Sequence, residues 1–330
     1  MNLYSIIGGS GFIGTRLSKR LNDGGNQFQI LDKSESYFYR DHYKFANVCN
    51  LNSLRDSVVD GSVIVNLAAE HRDDVRPLTL YQDVNVEGAK NICTIAREKN
   101  IQKIIFTSSV AVYGFAPIGT GEKGVIQPFN EYGRTKHEAE NVFRDWQSED
   151  PISRTLVIVR PTVVFGERNR GNVYNLLKQI ASGAFIMVGN GQNRKSIAYV
   201  ENVAAFLEYS LRFKPGVHIY NYVDKPDFTM NNLVQNVNRL LGKTTKTWFR
   251  LPYSIGYFIG KCFDWASLIT NKRFPISAIR VKKFCANSVY NTAIHDSGFI
   301  PPVSLEEALE KTLRYEFLES HAGEHLFFSE

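Results

Sequence analysis

The stretch IIGGSGFIGTRL, residues 6–17, decides the fold, because it sets three glycines three residues apart between an apolar run and a helix-like segment. A strand, a G-x-x-G-x-x-G turn and a helix in this order are typical of a dinucleotide-binding turn. We expect Gly8 to permit the tight turn, Gly11 to let the backbone approach a pyrophosphate, and Gly14 to let helix and strand pack closely. The helix would begin near Phe12 and point its N-terminus at the phosphates.

A second strand candidate, FQILD at residues 28–32, ends in an acid that strengthens this interpretation. Glycine spacing alone fits a purely structural turn as well. Asp32, however, follows Gly14 by 18 residues, and a carboxylate there accepts hydrogen bonds from adenosine ribose hydroxyls and repels a 2′-phosphate. The sequence therefore favours NAD over NADP, although the adjacent Lys33 weakens that preference a little.

Strand-like and helix-like segments alternate through the first two-thirds of the chain, which predicts an α/β fold with a Rossmann-like, doubly wound parallel sheet. The strand-like runs lie at residues 3–7, 28–31, 63–67, 104–107 and 155–159, with another at 217–223. The helix-like segments lie near 13–22, 52–58, 78–99, 133–147 and 229–241. Beyond residue 166 the periodicity weakens. We therefore expect an NAD-binding domain over 1–166, to which 196–225 return, and a smaller mixed α/β domain over 167–330 that mainly binds substrate.

The composition excludes several classes of protein. The 330 residues are 43% hydrophobic and 22% charged, as in an ordinary globular protein. Four scattered cysteines without C-x-x-C spacing indicate a reduced, cytoplasmic chain. The seven histidines form no H-E-x-x-H pattern, so we expect no metal. No signal peptide is expected before the first strand, no apolar run reaches the 18 residues of a bilayer span, and we expect no nucleic-acid partner.

The segment YGRTK places Tyr132 and Lys136 four residues apart, which puts both side chains on one face of a helix. A neighbouring ammonium and the positive nicotinamide of NAD stabilise a phenolate, so such a tyrosine exchanges a hydroxyl proton near neutral pH. Most pairs at this spacing are surface residues. Upstream, IIFTSSVAVYG reads as a buried strand that ends at Thr107, Ser108 and Ser109, where a hydroxyl would hold a substrate oxygen or cap the strand end.

These motifs together resemble the extended short-chain dehydrogenase/reductases, and among them the nucleotide-sugar epimerases and dehydratases. The matching pieces are collinear over residues 1 to about 205: GGSGFIG (8–14), Asp32, NLAAE (66–70), DVNVEGAKN (83–91), TSSVAVYG (107–114), YGRTK (132–136), VRPTVVFG (159–166) and SIAYVENVA (196–204).

The resemblance implies roles for individual residues. Tyr132 matches the catalytic acid/base, Lys136 its partner that also bonds the nicotinamide ribose, and Ser109 the catalytic Ser/Thr. Asn85 matches a residue that positions the neighbouring strands and the cofactor. The whole set implied for cofactor binding is Gly8, Gly11, Phe12, Ile13, Gly14, Asp32, Lys33, Asn47, Val48, Leu67, Ala68, Ala69, Asn85, Tyr132, Lys136 and Pro161.

Two positions depart from the family pattern. Asn47 stands where an aspartate commonly meets the adenine amine, and an amide oxygen still accepts that bond. Lys195 stands where an arginine commonly meets the diphosphate, which keeps the positive charge but not the bidentate geometry. Ser109, Arg168, Arg170, Asn172 and Lys195 are the candidates for substrate binding, although surface charge explains some of these cations equally well.

The reaction expected from the resemblance is C4 epimerisation of a hexose through a 4-keto intermediate. Dehydratases of the family usually carry an acidic pair after the Ser/Thr, whereas Val110 and Ala111 follow Ser109 here. An epimerase regenerates its NAD in each cycle and needs no second substrate. A reductase that consumes NAD(P) and a dinucleotide sensor without catalysis are the rival interpretations, and the Ser109, Tyr132 and Lys136 set disfavours the sensor.

A basic and amphipathic region near the C-terminus raises the question of a membrane. Residues 239–283 hold ten Lys or Arg and one acid. Within them, a helix over 251–274 would gather Ile255, Phe258, Ile259, Cys262, Ala266 and Ile269 on one face. This composition fits a helix that lies on an anionic membrane, and it also fits a helix packed in the core or against a dimer partner.

Further stretches are similar to bacterial family members whose sugar is carried by undecaprenyl diphosphate: LAAEHRDDVRP (67–77), ERNRGNVYNLLKQIA (167–181), YNYVDKPD (220–227) and RVKKFCA (280–286). This similarity implies conversion of undecaprenyl-diphosphate-linked GlcNAc to GalNAc for O-antigen synthesis, at the inner face of the bacterial plasma membrane. The alternatives are a UDP-glucose or UDP-GlcNAc 4-epimerase and an NAD(P)-dependent sugar reductase. The family also implies a homodimer formed through two long helices.

Overall fold

Seven parallel strands form the main sheet, in the order β10-β6-β5-β4-β1-β2-β3. The computed structural model describes residues 3–72, 75–243, 250–270 and 277–328. The strands are β1 Leu3–Ile7, β2 Gln27–Asp32, β3 Tyr43–Phe45, β4 Val63–Asn66, β5 Lys103–Thr107, β6 Thr155–Pro161, β7 Val163–Phe165, β8 Met187–Val188, β9 Arg194–Tyr199, β10 Gly216–Tyr222, β11 Asp224–Thr229 and β12 Arg250–Leu251. The prediction of a Rossmann-like parallel sheet is confirmed.

Helices cover both faces of this sheet. They are α1 Phe12–Asp23, α2 Leu51–Ser57, α3 Thr79–Tyr81, α4 Gly88–Glu98, α5 Glu131–Ser148, α6 Asn172–Ser182, α7 Val200–Ser210, α8 Met230–Leu240, α9 Tyr253–Thr270, α10 Ala278–Cys285 and α11 Leu305–Phe317. A π-helical segment, Gln82–Glu87, joins α3 to α4.

The core explains why the central strands read as unbroken apolar runs, since each is buried on both faces. On one face, Leu17 and Leu21 of α1 pack with Phe206 of α7 against the strands. On the other face, Phe143 and Trp146 of α5 do the same together with α4. The carboxyl ends of all seven strands therefore meet at one open edge, where a doubly wound fold binds its ligands.

A smaller sheet lies beyond this edge and was only partly foreseen. It has the order β11-β9-β7, with β7 parallel and β11 antiparallel to β9. A separate core of residues from α6, α8 and α11 includes Leu177, Val237 and Leu313. The division into two domains near residue 166 stays a prediction. Strand β10 belongs to the main sheet, and α7 packs beside α1 on one face of it.

Candidate active site

The glycine turn after β1 is built for close backbone approach. Gly8 has a φ of +78°, and a Cβ there would lie 2.5 Å from the Ala68 backbone nitrogen. A Cβ on Gly14 would lie 2.5 Å from the Gly9 Cα, so the helix packs against the turn itself rather than against the strand as predicted. At Gly11, which caps α1, the nearest atom to a Cβ is the Gly8 carbonyl oxygen at 3.4 Å. The space before the helix N-terminus is thus wider than at the other two glycines, as a pyrophosphate there requires.

Asp32, at the end of β2, is fixed beside this turn. Its carboxylate accepts hydrogen bonds from the Ser10 amide at 3.1 Å and the Ser34 amide at 3.0 Å. Burial raises the pKa of Asp32, while these amides and the nearby Lys33, itself exposed, oppose that rise. A half-buried carboxylate beside a glycine turn fits the ribose of a dinucleotide, so the chain has the parts that NAD needs.

The other predicted cofactor residues follow the neighbouring strand ends. The Leu67 amide donates to Ile7 and the Ala68 amide to the Asn66 side chain, which brings the loop after β4, including Ala69, against the glycine turn.

After β3, the Asn47 side-chain oxygen accepts the Cys49 amide at 3.0 Å, and Val48 is buried under α4. Phe12 and Ile13 pack into the cluster around Tyr199, and Pro161 ends β6.

Asn85 ties the loop after β4 to the helix that carries the predicted catalytic pair. It lies in the π-helical segment, which is a frequent location for functional residues. Its oxygen accepts the Glu70 amide at 2.9 Å, and its nitrogen donates to the Glu70 carbonyl and to Thr135 Oγ1, both at 3.0 Å. Thr135 directly precedes Lys136. These contacts are what the predicted positioning role of Asn85 requires.

The start of α5 is brought unusually close to the end of β5. Asn130 caps the helix by accepting the Gly133 amide at 2.9 Å. A Cβ on Gly133 would lie 2.4 Å from the Ala111 carbonyl oxygen, so only glycine fits at this contact. Ser109, whose Oγ accepts the Ala111 amide at 3.1 Å, is thereby held near the first turn of α5, which carries the half-buried Tyr132.

Lys136 is buried behind this turn. Its Nζ donates to the Thr107 carbonyl oxygen at 2.6 Å and lies 4.6 Å from the centre of the Phe106 ring. Burial lowers the pKa of Lys136 to about 7, and the charge of Glu140 opposes that shift. The pKa of Lys136 therefore lies near neutral pH, the range in which a partner in proton transfer is most useful.

A buried ionic network, which sequence reasoning missed, fastens this catalytic helix to two strands. Glu140 of α5 is fully buried and forms a bidentate pair with Arg160 of β6, with N–O distances of 2.8 and 2.6 Å. It also accepts from Ser108 at 2.6 Å and Arg144 at 2.8 Å. Burial would raise the pKa of Glu140, but these hydrogen bonds, that from Arg160 foremost, lower it below its usual range.

The network continues toward the last strand of the main sheet. Arg160 donates to the Tyr113 hydroxyl at 2.6 Å, and that hydroxyl donates to Asn221 Oδ1 at 2.8 Å. The available signal was an arginine inside the otherwise apolar run LVIVRP, because a charge in a fully buried strand requires a partner. The strand end with Ser109 and the helix with Tyr132 are thus held by one set of hydrogen bonds.

The predicted substrate residues do not come together. Arg168 pairs with Glu324 at 2.6 Å and the Tyr315 hydroxyl at 3.1 Å. Arg170 pairs with Glu316 at 2.5 Å, and Asn172 begins α6 nearby.

Lys195 lies elsewhere, because β7 and β9 are parallel with Phe165 opposite Tyr199. Lys195 precedes Tyr199 by four residues, about 13 Å of strand, whereas Arg168 follows Phe165 by three. The two cations therefore lie at opposite ends of the small sheet. Lys195 is largely buried, which lowers its pKa to about 8, and its Nζ donates to the Lys283 carbonyl oxygen at 2.8 Å.

A cavity of about 440 Å³ lies at the Lys195 end, between the loop after β8, α9 and α10. Lys282 and Cys285 of α10, Asn193 and Tyr253 are among its lining residues. The same helix reaches the rim of the catalytic region, since Lys282 lies 5.1 Å from the Phe115 ring and Lys283 lies 4.9 Å from the Phe129 ring. Phe129 precedes Tyr132 by three residues, so α10 lies between the cavity and the start of α5.

Within the described ranges, no three His, Cys, Asp or Glu side chains gather in a way that would hold a metal ion.

Comparison with known proteins agrees with this arrangement. The chain is 47% identical over 98% of both chains to N-acetyl-alpha-D-glucosaminyl-diphospho-ditrans,octacis-undecaprenol 4-epimerase of Escherichia coli O157:H7. Among solved structures, UDP-N-acetylglucosamine 4-epimerase from Bacillus cereus superposes with a TM-score of 0.74 at 17% identity, covering 99% of this chain and 100% of that one. The UDP-glucose 4-epimerase of Thermus thermophilus, solved with NAD, gives 0.73 at 18% identity, covering 95% and 98%. Residues 4–222 match the sequence model of one family, and the chain therefore belongs to the NAD dependent epimerase/dehydratase family.

Proposed function

We propose that this protein is an NAD-dependent 4-epimerase that interconverts GlcNAc and GalNAc while the sugar is attached to undecaprenyl diphosphate. The observation that carries the proposal is the 47% identity to the Escherichia coli epimerase, which extends over 98% of both chains. It therefore includes the region of α9 and α10, where the substrate carrier would bind, as well as the catalytic helix. This activity belongs to the synthesis of surface polysaccharide such as O-antigen.

The chemistry assigned to the chain is proton transfer at the C4 hydroxyl. Tyr132 takes the hydroxyl proton and later returns it, while Ser109 donates a hydrogen bond to the same oxygen. Lys136, as an ammonium, stabilises the phenolate of Tyr132 and contacts the nicotinamide ribose. NAD, when bound, supplies the acceptor and then the donor of the hydride at C4. The 4-keto sugar rotates in the site between the two transfers, so the hydride returns to the opposite face of C4.

The residues that would hold the diphosphate are those at the Lys195 end of the small sheet. Lys282 lines the cavity, and Lys195 lies beside it, where its Nζ donates to the Lys283 carbonyl oxygen at 2.8 Å. Arg168 and Arg170 are each paired with a glutamate at the other end, so we assign them no contact with substrate. Lysine acts as a point charge toward phosphate, which suits a carrier that is released after every cycle.

The carrier's lipid tail would meet α9, whose apolar face is open to solvent in the described part of the chain. Phe258 is 68% exposed, Trp265 72% and Ile269 84%, on the side of the helix opposite Gly256 and Gly260. None of the described helices combines the length and apolar character needed to cross a bilayer. Residues 271–274 of the predicted amphipathic segment lie outside the described residues. We propose that this face rests on the membrane surface, with the exposed Lys261 of the same helix toward anionic lipid headgroups.

Replacing Trp265 with Glu should weaken binding to phosphatidylglycerol vesicles about tenfold, because a large apolar side chain leaves the lipid interface. Sedimentation at low and high salt measures the bound fraction. Ile152→Glu is the matched control, since Ile152 is 86% exposed in the turn after α5. Equal losses for the two variants would contradict the assignment, and self-association of the wild type that Trp265→Glu abolishes would assign the face to a second copy.

A parallel substrate assay tests the function directly. We expect undecaprenyl-diphosphate-linked GlcNAc to be converted to the GalNAc form without net consumption of NAD, and UDP-GlcNAc to be converted poorly. Turnover of the UDP sugar alone would refute the lipid carrier. Stoichiometric reduction of NAD would replace epimerisation by a dehydrogenase reaction. The homodimer through two long helices stays a proposal that sedimentation equilibrium of the same preparation tests.

A further inference from the structure

The last described residues form a segment that docks on the main domain rather than projecting from it. Phe327 is 7% exposed and pairs with the loop after β7: its amide donates to the Arg168 carbonyl oxygen at 2.8 Å, and its carbonyl accepts the Arg170 amide at 2.7 Å. These bonds fix the backbone of the C-terminal segment 321–328, called the strap below. Phe328, the next residue, is 71% exposed.

The strap places its aromatic rings on both walls of the dinucleotide site. The Phe327 ring lies 5.6 Å from that of Phe12, the first residue of α1, and 6.3 Å from that of Phe38. His325 stacks on Tyr37 with ring centres 4.8 Å apart. Tyr37 and Phe38 belong to the loop that follows Asp32. One short segment thus joins the helix that faces the pyrophosphate to the loop beside the adenosine ribose.

Glu324 anchors the strap with three polar contacts. It accepts from the Tyr315 hydroxyl at 2.6 Å and lies 2.6 Å from the Arg168 guanidinium and 2.9 Å from His321 Nδ1. Arg168 also lies over the Phe38 ring at 5.2 Å. Arg168, one of the candidates for substrate binding, thus connects the strap with the loop after Asp32.

We propose that the strap, through Phe327, holds the two walls of the dinucleotide site together and slows release of bound NAD. The inference rests on the proposed function only in taking NAD as the resident cofactor. We take release of the dinucleotide to require that the two walls separate, and a segment packed on both opposes that separation. Phe327 is a positioning residue, since it acts through Phe12 and Phe38 and contacts no reacting atom. A cofactor that is regenerated in every cycle is best kept bound between cycles.

The test compares Phe327→Ala with Phe328→Ala in the full-length protein. Each is loaded with radiolabelled NAD, and release is followed after addition of excess unlabelled NAD. We expect Phe327→Ala to release NAD about tenfold faster than the wild type, the loss of a buried aromatic contact, and Phe328→Ala to match the wild type. At saturating NAD, Phe327→Ala should keep its kcat while its apparent KM for NAD rises.

Glu324→Gln provides a second variant that keeps the side-chain size, so its fold is not at issue, and it should also release NAD faster. Equal release rates for Phe327→Ala, Glu324→Gln and the wild type would overturn the strap while leaving epimerisation untouched. Conversely, a wild type that retains NAD but epimerises no sugar refutes the proposed function. The comparison of release rates then still tests whether the strap slows release of NAD.

Discussion

Replacing Tyr132 with Phe should lower turnover about a thousandfold, since the ring remains but the hydroxyl that exchanges the C4 proton is gone. Binding of NAD should persist, because the contacts proposed for the glycine turn, Asp32 and Lys136 do not need the Tyr132 hydroxyl. The unfolding temperature should stay close to that of the wild type. Initial rates with the lipid-linked sugar, together with NAD bound per chain, measure the two effects separately.

Tyr174→Phe is the matched control for this experiment. Tyr174 is also half-buried, on α6, where its ring packs against the Arg170 guanidinium at 4.0 Å. That contact needs the ring and not the hydroxyl, so this variant should turn over at the wild-type rate. If Tyr132→Phe instead retains full activity with NAD bound, another group transfers the proton and the mechanism assigned to α5 is wrong.

Replacing Glu140 with Gln should lower the free energy of unfolding by about 3 kcal/mol, because the buried Arg160 guanidinium loses its counter-charge. The change conserves shape, so the loss comes from electrostatics rather than from a cavity. Chemical denaturation with and without NAD measures it. Glu138→Gln is the control two residues away on the same helix: Glu138 pairs with Arg134 at the surface, and removing such a pair costs well under about 1 kcal/mol.

The same variant should change the pH dependence of turnover. The charge of Glu140 raises the pKa of Lys136, against the lowering caused by burial. Only the protonated Lys136 stabilises a phenolate, so the rate falls as pH rises through the pKa of Lys136. Without Glu140 this pKa is lower still, and the fall should begin at a lower pH. A purely structural role for Glu140 would reduce the rate at every pH without moving that limb.

The main sheet was readable from the sequence because its signals are local. Buried parallel strands are short apolar runs, and a glycine turn followed by Asp32 fixes the first crossover. The short strand β3 was missed because its three residues, YKF, are too few to establish a period of two. Strands β7 and β9 were missed because their pairing depends on residues more than thirty positions apart.

Parts of the candidate site were predictable where the residues lie on one element. Tyr132 and Lys136 are four apart on a helix, and their face follows from that alone. The Glu140–Arg160 pair joins a helix to a strand, and the separation of Arg168 from Lys195 depends on the register of a sheet that the pattern did not reveal. Both cations were candidates for one diphosphate, whereas the fold places them at opposite ends of the small sheet.

The small sheet separates two proposed functions, the retention of NAD and the exchange of substrate. In the proposed mechanism, one end of it packs against the dinucleotide-binding site through the strap, and the other end lies beside the cavity proposed for the substrate diphosphate. Substrate can therefore exchange at the second end while NAD stays bound at the first. An enzyme built in this way would complete many catalytic cycles without replacing its bound NAD.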